Sequence, residues 1–253
     1  GNGTGPASAV AMVNTDGTVS LVEGSADLSG TRVAFAQQLA EVLGIPAEEI
    51  KPTVGDTESI GFTSNSGGSG ATFKSGWAVY EAGQDVKRQM IQRAAKIWDI
   101  PEEDVEYTDG VLQHKSDTEL KLTFLQLAAR QNATGGPITG RAGVNPGGAG
   151  PCLATHIVDV EVDPETGKVD VLRYTAVQDA GKAIHPGYVE GQIQGGIVQM
   201  IGYALVEEML WDNGRLINPT LMDYKIPGMA DVPYKIHPLL IEEPEDSAPF
   251  GAK

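Results

Sequence analysis

The sequence predicts an α+β fold made of two related lobes of antiparallel hairpins and long helices. Three observations support this class: short alternating apolar segments joined by tight turns, long amphipathic helical patterns, and the return of this order after a glycine-rich stretch. The predicted limits are 1–135 for the first lobe, 136–150 for a glycine-rich connection and 151–253 for the second lobe. In each lobe a turn of small residues precedes a helix.

The first lobe opens with a hairpin followed by a helix. Apolar residues alternate or cluster at 10–13 and 18–23 around Asn-Thr-Asp-Gly, which is a hairpin signal. Residues 31–43 place Val33, Ala36, Ala40 and Leu43 at helical spacing. We expect Ser29 or Thr31 to cap this helix and Gly44 to end it.

A run of small residues, GFTSNSGGSGATFKSG at 61–76, follows a short strand predicted at 50–54. Its glycines let a ligand approach the main chain closely. Successive free N–H groups before a helix N-terminus form a partly positive nest suited to phosphate. The alternative is an ordinary flexible loop. Hydroxyl groups that would add donors belong to Ser64, Ser66, Ser69 and Thr72.

The helix after this loop, predicted at 76–97, has an apolar stripe at three- and four-residue steps, which indicates core packing. Its end, IPEEDV, echoes IPAEEI after the earlier helix, so a repeated unit of helix, turn and strand is expected. A hairpin at 105–114 and a short helix at 124–130 complete the lobe. The stripe consists of Val79, Ala82, Val86, Met90, Ala94 and Ile97.

The second lobe begins with strongly alternating strands at 156–162 and 168–177, joined by a turn, and later segments predict a hairpin around 212–214 and a last strand at 232–242. Between them a small-residue turn leads into a helix whose flank carries Gln192 and Gln199. Glutamine amides there could bind a group with both donors and acceptors, or could lie on a solvated helix edge. The predicted core face is Val189, Ile193, Ile197, Met200 and Ala204.

Composition excludes several classes of function. The formal net charge of −16 and the pI near 4.5 disfavour binding to nucleic acid or to anionic membranes. The single cysteine, Cys152, fits a reducing, cytoplasmic compartment. The sequence contains no membrane-spanning run and no signal peptide. Because it starts without methionine and stops at Lys253 with no evident final element, we expect a piece of a longer polypeptide.

Catalytic motifs are absent from the sequence. Its four histidines show no paired spacing, and neither a GxSxG elbow nor a GxxxxGK[ST] loop occurs. Zinc and iron–sulfur sites are therefore not indicated, and we assign no metal ligand and no catalytic residue. Residue chemistry alone predicts a binder of a phosphate-bearing ligand.

Several stretches taken together resemble the molybdenum-hydroxylase family, which comprises xanthine dehydrogenase, aldehyde oxidase and the large subunit of carbon monoxide dehydrogenase. The resemblance covers almost the whole chain, and it is strongest in HIVDVEVDPETGKVDVLRYTAVQDAGKAIHPGYVEGQIQGGIVQMIGYALVEE at 156–208. Further matching stretches are GTGPASAVAMVNTDGTVSLVEGSAD, QQLAEVLGIPAEEIKPTVGDT, GGSGAT, INPTLMDYKIPGMADVP and PFGAK. The resemblance implies that this chain is the second part of the molybdenum-cofactor-binding domain.

The resemblance also implies site residues. Gln192 corresponds to a glutamine that contacts the pterin, and Ser29 and Gly30 lie where relatives usually carry Gly-Gln-Gly. Ser29 thus replaces a cofactor-binding glutamine, although a serine at a helix start can still hydrogen-bond a phosphate. The loop that wraps the pterin and its phosphate in relatives matches Ser66, Gly67, Gly68, Ser69, Gly70 and Ala71.

The activity implied is hydroxylation of an aldehyde, a purine-like ring or another carbon centre with oxygen from water. The implied cofactor is molybdenum bound to molybdopterin or to its cytosine dinucleotide form. The implied partners are the remainder of the large subunit and domains or subunits with 2Fe-2S clusters and FAD, in a dimer of the complete enzyme. The catalytic glutamate of relatives belongs to a Gly-x-Gly-Glu motif after the match to 249–253, so this chain alone should be inactive.

Two alternatives remain open from the sequence. The chain could be a binding module that holds a molybdopterin or another phosphate ligand without redox chemistry. It could also be a degenerate scaffold subunit, which the serine at position 29 would explain. Neither the substrate nor the form of the pterin follows from these residues.

Overall fold

The structure is a computed structural model that describes residues 5–56 and 58–253. Gly3 and Thr4, which begin one of the matching stretches, and Thr57, which ends another, lie outside the described residues. The chain forms two compact units. The first unit comprises Gly1–Pro151 together with Pro244–Lys253, and the second comprises Cys152–Glu243.

Among its described residues, the first unit forms seven strands and four α-helices. In chain order the strands are β1 (Ala7–Val13), β2 (Val19–Glu23), β3 (Ile50–Val54), β4 (Val105–Thr108), β5 (Val111–His114), β6 (Lys121–Thr123) and β7 (Thr139–Val144). The helices are α1 (Thr31–Leu43), α2 (Ala71–Trp98), α3 (Phe124–Ala128) and α4 (Gln131–Thr134).

The main sheet of the first unit has the strand order β3-β2-β1-β7. The hairpin of β1 and β2 is confirmed, with Val13 opposite Val19, and β7 pairs with the other edge of β1 in antiparallel direction. β3 runs parallel to β2. Since alternate residues of β1 and β2 are buried, one face of the sheet is covered, and α1 and α2 supply that cover.

Helix α2 begins at Ala71, five residues before the predicted start at 76, and its predicted apolar stripe is confirmed from Val79 to Ala94, with Ile97 partly buried. Both long helices end in a residue of left-handed backbone, Gly44 after α1 and Asp99 after α2. A short 3-10 turn and a strand then follow each helix, so the repeated unit expected from IPAEEI and IPEEDV is confirmed.

The glycine-rich stretch predicted to connect the lobes contains a strand. Strand β7 lies within 136–150 and pairs with β1, while residues 244–253 belong to the first unit, with Trp77 Nε1 donating to the Ser247 carbonyl oxygen at 3.1 Å. The domain limits 1–135, 136–150 and 151–253 therefore stay a prediction.

The second unit contains five strands and one helix: β8 (Ala154–Val162), β9 (Val169–Asp179), α5 (Pro186–Leu205), β10 (Trp211–Asp212), β11 (Arg215–Leu216) and β12 (Lys235–Ile241). Both predicted hairpins are confirmed, as antiparallel β8–β9 and β10–β11 pairs. The last predicted strand also forms, but β12 runs parallel to β9.

The core of the second unit is small. Its buried cluster consists of Ala176 on β9 with Ile197 and Ile201 on α5. The prediction for α5 was wrong at two positions, because Met200 and Ala204 are exposed and Ile201 faces the core instead. The α+β class itself is confirmed.

Two features are absent from the described residues. None of their helices combines the length and apolar composition needed to cross a membrane. Nor do they contain a group of three or more histidine, cysteine, aspartate and glutamate side chains placed to hold a metal ion.

Candidate functional site

The turn between β2 and α1 places Ser29 and Gly30 in consecutive left-handed conformations, with φ angles of 59° and 78°. The predicted side-chain cap was wrong: Gly30 is the N-cap of α1 and makes no side-chain cap bond. Instead the Asp27 carboxylate accepts from the Arg32 N–H at 3.1 Å. The backbone therefore reverses direction sharply just before the N-terminus of α1. Such a turn lets a ligand come close to the main chain.

The loop before α2 repeats this feature. Gly68 and Ser69 have φ angles of 60° and 57°, and Gly70, buried, is the N-cap of α2 without a side-chain cap bond. Gly67 bridges two turns, since its N–H donates to the Asn65 carbonyl at 2.9 Å while its own carbonyl accepts from Gly70 at 3.4 Å. The first N–H groups of a helix without a side-chain cap remain available to a ligand or water.

The two turns of the first unit contact each other. The hydroxyl oxygens of Ser25 and Ser66 lie 3.1 Å apart, within hydrogen-bonding distance. A Cβ atom at Gly24 would collide with the Thr63 side chain, so only glycine allows this approach. The structure thus brings Ser66 of the predicted loop against the turn that carries Ser29 and Gly30.

A buried carboxyl group accepts a hydrogen bond from the backbone of Ser25, one partner in this contact. Glu23, at the end of β2, has no exposed surface, and its Oε2 accepts from the Ser25 N–H at 2.5 Å. Its Oε1 has no hydrogen-bond partner among the described residues. Burial raises the pKa of the Glu23 carboxyl to about 7, against the opposing effect of the Ser25 N–H bond.

A buried cation supports the other end of the loop. Lys74, in the first turn of α2, is 2% exposed, and its Nζ donates to Ser64 Oγ at 2.7 Å, to the Ser64 carbonyl at 3.3 Å and to the Asn65 carbonyl at 2.5 Å. Burial lowers the pKa of the Lys74 ammonium group.

Two further polar atoms near the start of α2 are buried without a partner in the described part of the chain: Gln38 Oε1 and Ser75 Oγ. The Gln38 amide nitrogen donates weakly to the Thr72 carbonyl at 3.4 Å. Gln37 Oε1, in α1, is a further unpartnered atom among the described residues. Unsatisfied buried polar atoms are rare in folded proteins.

Gln192 belongs to the second unit, where it lies exposed in the second turn of α5. A Cβ atom at Gly195 or Gly196 would meet no other atom of the described chain within 4 Å, so this flank of the helix is uncluttered, as predicted. At the start of α5, His185 Nδ1 accepts from the Tyr188 N–H at 3.2 Å, and the two rings stack with centroids 3.8 Å apart.

Sequence reasoning missed Glu23, Ser25 and Lys74. Two of them carried a detectable signal. Glu23 continues the inward alternation of β2, and Lys74 lies four residues before the buried Ala78 on the core-facing stripe of α2. A charged residue at an inward position is unusual, because burial of an ionised group is costly unless it is compensated.

The chain belongs to the molybdenum hydroxylase family: residues 1–233 match the family described as molybdopterin cofactor-binding domain. Over 260 residues it is 30% identical to the nicotine 6-hydroxylase large subunit of Paenarthrobacter nicotinovorans, covering 97% of this chain and 31% of that protein. Over 250 residues it is 27% identical to the xanthine dehydrogenase molybdenum-binding subunit of Escherichia coli O157:H7, covering 96% and 33%.

The fold is also similar to that of a solved structure. The crystal structure of quinoline 2-oxidoreductase from Pseudomonas putida 86 superposes with a TM-score of 0.88 at 28% identity, covering 98% of this chain and 33% of that one. The chain therefore spans about a third of the length of the relatives it matches.

Proposed function

We propose that this chain supplies cofactor contacts in a molybdopterin-dependent oxidoreductase that hydroxylates a carbon centre with oxygen from water. The observation that carries the proposal is the pair of left-handed turns before α1 and α2, joined by the contact between Ser25 and Ser66. The N-terminus of α2, which has no side-chain cap and lies beside glycine-rich backbone, suits the phosphate of a pterin cofactor.

The donors present fit such a group. In the loop, main-chain N–H groups and serine hydroxyls offer many donors without bulky side chains, and the buried Lys74 adds positive charge beneath them. Gln192 would offer a donor and an acceptor to the pterin ring. When bound, the molybdenum centre would supply the redox chemistry. The residues proposed to hold the cofactor are Ser29, Gly30, Ser66, Gly67, Gly68, Ser69, Gly70, Ala71 and Gln192.

The proposed assembly includes the remainder of a large subunit together with iron–sulfur and FAD domains or subunits, as a cytoplasmic complex. Two similar proteins are named as subunits, one large and one molybdenum-binding, which supports an assembly of several chains. No residue of this chain is proposed as catalytic. The chain contributes by orienting the cofactor, which is the protein's usual role in such enzymes.

The test is the cofactor content of the full-length protein carrying Gly68→Ala. Because Gly68 has a φ angle of 60°, a Cβ atom there strains the turn that is proposed to contact the phosphate. We expect near-stoichiometric molybdenum and pterin in the wild type and at least a fivefold loss in the variant, measured by metal analysis and pterin fluorescence.

Gly167→Ala is the matched control. Gly167 has a φ angle of 73° in the turn between β8 and β9, where a Cβ atom would meet nothing within 4 Å of the described chain. Both variants thus place a Cβ atom on a residue with left-handed backbone, so a similar conformational strain is expected in each. Only Gly68 lies in the loop that is proposed to bind the cofactor. Equal cofactor content in the two variants would contradict the assigned loop, and a wild type without molybdenum or pterin would contradict the function.

A further inference from the structure

The glycine loop is fixed at one end by a single buried side chain. All three donor contacts of the Lys74 ammonium group end on Ser64 or Asn65, the two residues directly before Ser66. The side chain is 2% exposed. These bonds therefore define where the loop leaves its upstream segment and turns toward α2.

The charge of Lys74 is not balanced by a neighbouring carboxylate. None of the ion pairs found among the described residues includes it, and its hydrogen-bond acceptors are neutral carbonyl and hydroxyl oxygens. It also lies at the N-terminal end of α2, where the helix dipole is positive. A buried cation in such a position is unfavourable unless a negative charge comes close.

Because the loop is rich in glycine and therefore flexible, contacts that hold it in place favour ligand binding. Gly67, Gly68 and Gly70 have more backbone freedom than any other residue type, so ordering them around a ligand costs conformational entropy. Contacts that hold the loop before the ligand arrives reduce that cost and raise affinity.

We propose that Lys74 is a positioning residue of the cofactor site, which holds the 66–70 turn in its binding shape through Ser64 and Asn65 and favours an anionic phosphate beside it. This inference rests on the proposed function, since it takes the loop to be the phosphate-binding element. Lys74 acts mainly through the loop backbone, with its charge as the second contribution.

The experiment compares Lys74→Met with the wild type in cofactor-free full-length protein, using inorganic pyrophosphate as the probe. Methionine keeps the length and most of the volume of the lysine stem but has neither donors nor charge. Calorimetry at constant ionic strength gives the dissociation constant, and hydrogen exchange gives the protection of the Gly67 and Gly70 amides, which donate hydrogen bonds within the loop. We expect affinity for pyrophosphate to fall about tenfold or more and protection of these amides to be lost.

The matched control is Lys96→Met, in the last turn of the same helix. The exposed Lys96 ammonium group also donates to a carbonyl oxygen, that of Thr134, at 3.3 Å. Its replacement should leave pyrophosphate affinity unchanged within about twofold. Ser64→Ala serves as a second test that does not bury a new group: it removes one acceptor of Lys74 and should weaken pyrophosphate binding by about two- to fivefold.

Two results would overturn the proposal. In Lys74→Met, loss of amide protection with unchanged affinity for pyrophosphate would show a purely structural role. If Lys74→Met does not fold, unchanged affinity for pyrophosphate in Ser64→Ala would show the same. Failure of the proposed function has a different signature, since the wild type purified from cells that make the cofactor would then contain no molybdenum or pterin, whatever its response to pyrophosphate.

Discussion

Glu23 shows how one residue can connect strand geometry to the site. The alternation of β2 turns its side chain inward, and its Oε2 holds the Ser25 N–H, whose own hydroxyl contacts Ser66 of the glycine loop. Because burial raises the pKa of this carboxyl to about 7, the group changes charge near neutral pH.

This predicts a pH-dependent stability. A carboxyl whose pKa is higher in the folded state binds more protons when folded, so its contribution is complete below its ordinary pKa of 4.5 and is lost as the pH rises through about 7. Since a difference of one pH unit in pKa corresponds to about 1.4 kcal/mol, the wild type should lose roughly 3 kcal/mol relative to Glu23→Gln over this window.

Urea unfolding of both proteins at pH values from about 4 to about 8, which bracket this window, would measure the effect. Replacement of the exposed Glu49 by glutamine is the control for the removal of one carboxyl group from the surface. Parallel profiles for the wild type and Glu23→Gln would refute the raised pKa of Glu23.

At the scale of elements, the packing of β7 against α2 depends on one glycine. A Cβ atom at Gly140 would collide with the Ala82 carbonyl oxygen and would lie 2.7 Å from Val86 Cγ2, whereas at Gly143, in the same strand, the nearest atom is 4.0 Å away. Gly140→Ala must therefore push the strand away from the helix.

We expect Gly140→Ala to lower the free energy of unfolding by about 1–3 kcal/mol, as overpacking in a core does. Gly143→Ala, the same chemical change three residues on, should stay within about 0.5 kcal/mol of the wild type. Denaturant midpoints at a common slope would measure both. An equal cost at the two positions would mean that the close approach of β7 and α2 is not what requires glycine at 140.

The sequence predicted most elements and the hairpin pairs, but not the pairing of strands that are distant in sequence. The hairpins and helices follow from local alternation, helical spacing and turn residues, which act within a few positions. The parallel pairing of β3 with β2 and of β12 with β9 joins segments distant in sequence, which local patterns do not encode. Strand β7 was missed because its glycines, Gly140 and Gly143, are typical of loops.

The same limit applies to the site. Glycine content and hydroxyl residues pointed to the loop at 61–76, and the family resemblance named its residues. Two buried side chains that hydrogen-bond to the loop or to its neighbour Ser25, Lys74 and Glu23, were not predicted, because the sequence does not show which distant groups a buried charge contacts. The predicted helix start at 76 also left Lys74 outside α2, which hid its place on the buried stripe.

For the whole molecule, the two units differ greatly in core size. The first core draws on strands β1 and β2, helices α1 and α2 and the smaller β4-β5-β6 sheet, while the buried apolar cluster described in the second unit is Ala176, Ile197 and Ile201. Many apolar side chains of the second unit are exposed, among them Trp211 and Met229. Because burial of apolar surface is the main source of stability, the second unit should open more readily.

Hydrogen exchange of the 253-residue chain would test this difference. We expect the central amides of α5 to exchange at least about tenfold faster than those of α2, because opening the second unit exposes much less apolar surface. The two helices are both long, with 20 and 28 residues, so helix length alone does not explain such a gap. The comparison uses amides from the middle of each helix only, because helix ends fray. Equal protection in the two helices would show that the units unfold as one cooperative body, and the small core of the second unit would then not govern its stability.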